Sequence, residues 1–129
     1  SGILGIAAIK TNFQKTNCHF CDISPEALEN TFDNLKLNSI IIDQKNVFLP
    51  HDIKKNETYD LVFANILLNI LEENKSMLIN SVKPNGHLIL SGILVNQLET
   101  LKDIYQSSQL KFVKSESLGD WAVALFLKL

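Results

Sequence analysis

Residues 59–71 read YDLVFANILLNIL. The first seven, Tyr59 to Asn65, have a continuous apolar centre, which predicts a strand buried on both faces. From Leu68 to Val82 the apolar residues Leu71, Leu78 and Val82 recur at helical spacing, which predicts a helix with one buried stripe. A buried strand running straight into a helix is the repeating unit of an α/β protein with a parallel sheet. Asn65 falls at the carboxyl end of that strand, the side on which such sheets hold their ligands.

The pattern repeats on either side. Upstream, Gly2 to Lys10 (GILGIAAIK) reads as a short apolar helix behind a Gly-rich turn, and Asn17 to Asp22 (NCHFCD) reads as a strand. A second helix follows: Ser24 suits the N-cap, Pro25 the first helical position and Glu26 the positive helix end. Leu28, Phe32 and Leu35 mark its buried face. NVFLP is a short strand stopped by Pro50. Downstream, Lys83 to Gly86 (KPNG) is turn chemistry. HLILSG is a strand, and Asn96 to Ser107 a helix carrying Leu98, Leu101 and Ile104. Two strands close the chain, near Leu110 to Ser115 and Trp121 to Lys128. With no helix between them, they should form an antiparallel hairpin at one sheet edge. The expected architecture is one α/β domain over residues 1–129, Rossmann-like and mostly parallel, whose first strand would lie before Ser1.

Composition narrows the function. At 129 residues, 46% hydrophobic and 20% charged, the chain suits one soluble globular core. All 12 basic residues are lysines. The lack of arginine argues against direct nucleic-acid binding, for which the guanidinium fork is best suited. No apolar run approaches the roughly 18 residues of a membrane span, and the first residues lack a signal-peptide layout. Two cysteines without export signals point to a reducing, cytoplasmic setting.

Few residues are candidates for chemistry. Asp22 ends a predicted strand about 20 residues after the Gly-rich turn, where doubly wound folds place the acid that holds an adenosine ribose. The alternative is a solvated aspartate before a helix. Asn65 can accept a hydrogen bond from a substrate amine, and the Ile66 carbonyl a second, which would aim the amine lone pair at an electrophile. The alternative is a helix cap. Asp52 can accept from an adenine amino group, or stand as a loop residue near Lys54 and Lys55. Cys18 and Cys21 would point to opposite faces of a strand, so they cannot share one zinc ion; they read as core or crevice wall. His19 and His87 read as ordinary strand residues, His51 lacks a nucleophile around it, and Trp121 reads as packing at a strand start.

Taken in order, SGILGIAAIK, CDISPEAL, DLVFANILLNIL, KPNGHLILSGIL and GDWAVALFLKL resemble the catalytic domain of the PrmA family, bacterial methyltransferases of ribosomal protein L11. The resemblance covers nearly the whole chain, and ANIL with the later LSGIL is its most specific part. It implies a class I methyltransferase fold with S-adenosyl-L-methionine as methyl donor. It also implies, as substrates, lysine side chains and an N-terminal amine of the ribosomal protein. Carried over by position, Asp22 would hold the ribose hydroxyls, Ile23 would pack on the adenine and Gly2 would lie beside the methionine part. Asp52 would join this cofactor site, and Asn65 would meet both cofactor and amine. Four departures stand out. Only Ser1 and Gly2 remain of the family's Asp-x-Gly-x-Gly-Ser-Gly loop. Ser24 replaces a second acid, Ile70 a proline, and Asn85 a glycine. A chain without the first strand and glycines is expected to bind cofactor weakly and turn over little. The alternatives are another class I amine or amide methyltransferase, a nicotinamide-dependent oxidoreductase, and a non-enzymatic remnant.

Overall fold

The computed structural model describes residues 1–11, 17–53 and 56–129. The chain divides into two compact units, Ser1–Lys55 and Asn56–Leu129. Both are α/β, and strand–helix alternation runs through them as the sequence predicts.

In the first unit, helix α1 spans Ile3–Lys10 and helix α2 spans Pro25–Leu37. Strands β1 (Phe20–Cys21) and β2 (Val47–Phe48) pair in parallel. The strand expected over residues 17–22 therefore forms a ladder only at its centre. Its partner is equally short, because Pro50 starts a 3₁₀ turn (Pro50–Asp52) and proline has no N–H to continue a ladder. Ser24 caps α2 as expected: its Oγ accepts from the Ala27 N–H at 3.3 Å, with Pro25 as the first helical residue. The buried face of α2 differs from the apolar spacing. Leu35 is buried, but Phe32 is exposed and Thr31 takes the inner position. Thr31 can be buried because its hydroxyl donates to the Ala27 carbonyl at 2.8 Å. The core of this unit is Ile6, Phe20, Leu35 and Val47.

The second unit holds a four-stranded mixed sheet in the order β3-β4-β6-β5. These are Tyr59–Asn65, Val82–Leu94, Trp121–Lys128 and Leu110–Leu118 for β3, β4, β6 and β5 respectively. β3 and β4 are parallel. β6 runs antiparallel to both β4 and β5, so the closing strands form the expected hairpin with β5 outermost. β3 is less buried than its apolar run predicts: Ala64 is buried, Leu61 and Val62 are half-buried, and Phe63 is exposed. Among the described residues β3 has a partner on one side only, which leaves it as an edge strand.

The helix expected from Leu68 to Val82 is two helices, α3 (Leu68–Glu73) and α4 (Lys75–Asn80). The break falls at Asn74, whose side-chain amide competes for the Ile70 carbonyl at 2.9 Å with its own helical backbone N–H at 3.1 Å. Val82 is buried as expected, but as the first residue of β4. The KPNG turn is folded into β4: Val82 faces Tyr59 and His87 faces Leu61, so the residues between them loop out. Asn85 has φ 63°, the left-handed conformation expected there. Helix α5 covers Leu98–Tyr105, preceded by a 3₁₀ turn at Val95–Gln97, and is shorter than the expected 96–107. Its Leu101 and Tyr105 enter a core built on Leu71, Leu88, Leu90, Ile93 and Phe126.

Candidate functional site

The two groups of candidate residues lie on different units, and each is built from its own sheet.

In the first unit, the carboxyl end of β1 delivers Asp22. Its N–H donates to the Phe48 carbonyl at 3.4 Å, extending the β1–β2 pairing by one bond. Asp22 Oδ1 accepts from the Ser24 N–H at 3.2 Å, which folds the chain from strand into helix α2. Among the described residues Oδ2 makes no hydrogen bond, so one oxygen holds the turn and the other remains open to a ligand hydroxyl. Ile23, the next residue, is 82% exposed. An apolar side chain standing clear of the surface beside a carboxylate suits an aromatic ring next to a polyol. Partial burial of its sulfur and then the Asp22 charge push the Cys21 thiol up to about 11, so it stays neutral. Cys18 packs against the unit's core, and burial raises its thiol too.

Gly2 opens α1 with φ 70°, a left-handed conformation. A Cβ there would stand 2.6 Å from Thr31 Cγ2 and 3.3 Å from the Phe20 ring. The chain's own packing therefore demands glycine at this position, whether or not a ligand lies beside it. Asp52 closes the 3₁₀ turn after β2, where its N–H donates to the Leu49 carbonyl at 2.9 Å. Its exposed carboxylate sits 3.6 Å from His51 Nε2. Because β1 and β2 are parallel, Asp22 and the turn that carries Asp52 both follow the carboxyl end of this small sheet. The neighbouring Lys54 and Lys55 lie outside the described residues.

In the second unit, β3 delivers Asn65, opposite Ser91 of β4. Asn65 does not cap a helix. Helix α3 starts three residues later, with Leu67 as its N-cap and no side-chain cap bond. The Ile66 N–H donates to the Ser91 carbonyl at 3.2 Å, which fixes the peptide after Asn65. Asn65 is exposed. Its side-chain oxygen and the Ile66 carbonyl are two neutral acceptors at the end of a strand, suited to the N–H groups of an amine. Trp121, expected to pack, is 56% exposed at the start of β6, between Leu94 and Leu118 in the ladder.

One residue beside this segment carried no assignment from its sequence. Gly92, in LSGIL, has φ 83°, and a Cβ there would stand 2.8 Å from Asn65 Oδ1. A glycine inside an apolar strand run is the available signal for such a close approach.

The description "Ribosomal protein L11 methyltransferase (PrmA)" belongs to a family model that matches residues 1–128. The chain belongs to the PrmA family. It is 42% identical over 106 residues to the ribosomal protein L11 methyltransferase of Vibrio vulnificus, covering 82% of this chain and 35% of that protein. The chain thus spans about a third of the length of such relatives. Among solved structures, ribosomal protein L11 methylase from Lactobacillus delbrueckii subsp. bulgaricus superposes with a TM-score of 0.81 at 26% identity, over 98% of this chain and 64% of that one. A methyltransferase from Pyrococcus furiosus superposes with a TM-score of 0.75 at 14% identity, over 99% of this chain and 69% of that one, a likeness of fold. The PrmA chain accordingly has the class I methyltransferase fold, here with its parallel pairs and closing antiparallel hairpin. No helix among the described residues is long and apolar enough to cross a membrane.

Proposed function

We propose that this chain is the catalytic part of an S-adenosyl-L-methionine-dependent protein methyltransferase. It acts in the cytoplasm on lysine side chains and the N-terminal amine of ribosomal protein L11. Membership of the PrmA family across residues 1–128 carries this reading. The exposed Asn65 at the end of β3, engaged in no helix cap, supports it.

The residues of the first unit fit the cofactor. The open oxygen of Asp22 would accept from the ribose hydroxyls, Ile23 would lie on the adenine, Asp52 would accept from its amino group and Gly2 would border the methionine part. Once bound, the cofactor supplies an electrophilic methyl group on a sulfonium. The protein's task is then to hold a neutral amine with its lone pair free. A lysine amine titrates near pH 10 and must first lose a proton to water. A neutral primary amine has two N–H bonds and one lone pair. If Asn65 Oδ1 and the Ile66 carbonyl accept the two N–H bonds, the lone pair is left pointing away from both. That lone pair would take the methyl group, the electrons of the broken bond staying with the cofactor. A second proton leaves the methylated nitrogen for water. Alignment of this kind accounts for large rate factors without a covalent intermediate or a metal.

Asn65→Ala in the complete protein should cut turnover on ribosomal protein L11 by about 100-fold. Near-normal methyl transfer would remove Asn65 from the mechanism. Asp22→Ala should weaken S-adenosylmethionine binding by about 10- to 100-fold in calorimetry, the scale of a lost charge-assisted hydrogen bond. Unchanged affinity would sink the ribose assignment. The isolated 129-residue chain should bind more weakly still, since β1 and β3 each have a partner on one side only among the described residues. Micromolar binding by that chain would overturn this part of the reading.

A further inference from the structure

We infer that Gly92 is a positioning residue for the methyl transfer, because its bare Cα fixes where the Asn65 amide oxygen and the Ile66 carbonyl stand. The inference rests on the reading of those two atoms as amine acceptors. It extends that reading to a residue of β4 that touches neither amine nor cofactor.

The end of β4 is built around this contact. Leu90 faces Ala124 on β6 and Ile93 faces Ala122, so Ser91 and Gly92 together oppose Val123 alone. That is a β-bulge, and its second residue is in the left-handed conformation that glycine takes freely. Ser91 pins the bulge on both sides. Its Oγ donates to the Ala122 carbonyl at 3.1 Å on β6, and its own carbonyl accepts from the Ile66 N–H at 3.2 Å on β3. The bulge turns the Cα of Gly92 onto the chain at 65–66. A Cβ there would lie 2.6 Å from the Ile66 oxygen, 2.7 Å from the Ile66 nitrogen and 2.8 Å from Asn65 Oδ1.

These three atoms include both proposed acceptors, and two of them are backbone that cannot swing aside. Reaching ordinary contact would displace the backbone of Ile66 by roughly 1 Å, since carbon contacts settle near 3.5 Å. Gly119 provides the contrast. It is also left-handed, at φ 57°, but a Cβ there meets nothing within 4 Å. Glycine at 119 serves the turn alone, whereas glycine at 92 also leaves room for the acceptor pair.

The test uses the complete protein, with ribosomal protein L11 as substrate. Gly92→Ala should lower kcat by about 100-fold, the scale of a 1 Å misplacement, while KM for S-adenosylmethionine stays within about threefold. Gly119→Ala shares the conformational penalty and should keep turnover within about twofold of the unmodified enzyme. Added to Asn65→Ala, the Gly92→Ala change should cost clearly less than it does alone, because one of the atoms it displaces is already gone. Undiminished multiplication of the two effects, or near-normal kcat in Gly92→Ala, overturns the inference. Normal turnover in Asn65→Ala instead overturns the underlying acceptor reading, and the role of Gly92 with it. If Gly92→Ala does not fold, Ser91→Ala loosens the same bulge without adding an atom. It should lower kcat by about fivefold at unchanged KM, the scale of one lost hydrogen bond, and unchanged kcat there is equally fatal.

Discussion

The two units of this chain solve the same folding problem with different means. The second unit has strands of 7 to 13 residues in a four-stranded ladder. Its core of 14 buried residues, from Ala64 to Phe126, gathers side chains from the sheet and from α3, α4 and α5. Among its described residues the first unit has strands of two residues each and four buried apolar core side chains. A two-stranded ladder is marginal by itself. That unit depends on how closely its helices approach Phe20, and so on glycine. The contrast matches the proposed division of labour. The acceptors that need fixed geometry stand on the long ladder, while the proposed cofactor contacts Asp22, Ile23 and Asp52 stand on turns at the end of the short one and Gly2 at the start of α1. Local stability should differ accordingly.

The largest effect should come from Phe126→Ala. Phe126 is fully buried in β6, with the Tyr105 ring at 5.8 Å and the Phe112 ring at 5.7 Å. Truncating such a residue costs about 3–5 kcal/mol through lost transfer energy and the cavity left behind. That is a large part of the total for a small domain. Trp121 is the sole tryptophan and lies in the same strand, so its fluorescence in a urea titration reads this unit directly. A loss under about 1 kcal/mol would show that the long ladder does not depend on its core as claimed.

Gly5→Ala tests the other side of the comparison. In an exposed helix this change is favourable by about 1 kcal/mol. In α1 a Cβ would stand 2.3 Å from the Phe20 ring and 2.9 Å from Cys18 Sγ. Phe20 is itself buried and also faces Gly2, so its ring has no free direction to yield. Overpacking of this kind costs about 1–3 kcal/mol, enough to reverse the helix preference. Hydrogen exchange at the Phe20 and Cys21 amides should speed up correspondingly. Slower exchange would mean that helix propensity, and not close packing, governs this unit.

The same contrast decides what could be read from sequence. In the second unit β6 runs over Trp121–Lys128, as its apolar run indicates, and the hairpin follows from two strands with no helix between them. Long ladders impose their pattern on the sequence. The first unit leaves weaker marks. Its strand shrinks to Phe20–Cys21 because the partner ends at a proline turn, a tertiary fact. Thr31 displaces Phe32 from the core because a hydroxyl can satisfy itself on its own helix, which apolar spacing does not register. The break at Asn74 has the same origin, a side chain turning onto the backbone. Among the candidate site residues, Asp22 and Asn65 were legible as strand ends. Gly92 carried only the mark of a glycine inside an apolar strand run, because the bulge that places it arises from pairing with β6.

The smallest effect expected is that of Ser24→Ala, and it bears on function most directly. Ser24 takes part in four bonds at the turn after β1, among them one that its Oγ donates to Glu26 Oε2 at 3.4 Å and one that its carbonyl accepts from the Leu28 N–H at 3.1 Å. Its Oγ accepts from the Ala27 N–H at 3.3 Å, and its own N–H donates to Asp22 Oδ1 at 3.2 Å. Alanine removes both Oγ bonds and keeps the one to Asp22, since the backbone N–H survives. Loss of such a cap costs about 1 kcal/mol. The Asp22 carboxylate should therefore stay in place although the start of α2 frays. Thermal melting should shift downward while S-adenosylmethionine affinity in the complete protein changes by less than about threefold, under 1 kcal/mol. If affinity falls as far as in Asp22→Ala, then the orientation of the carboxylate depends on the whole helix start. In that case the turn at the end of the short ladder is a cooperative part of the cofactor site, and the Asp22–Ser24 backbone bond alone does not hold it.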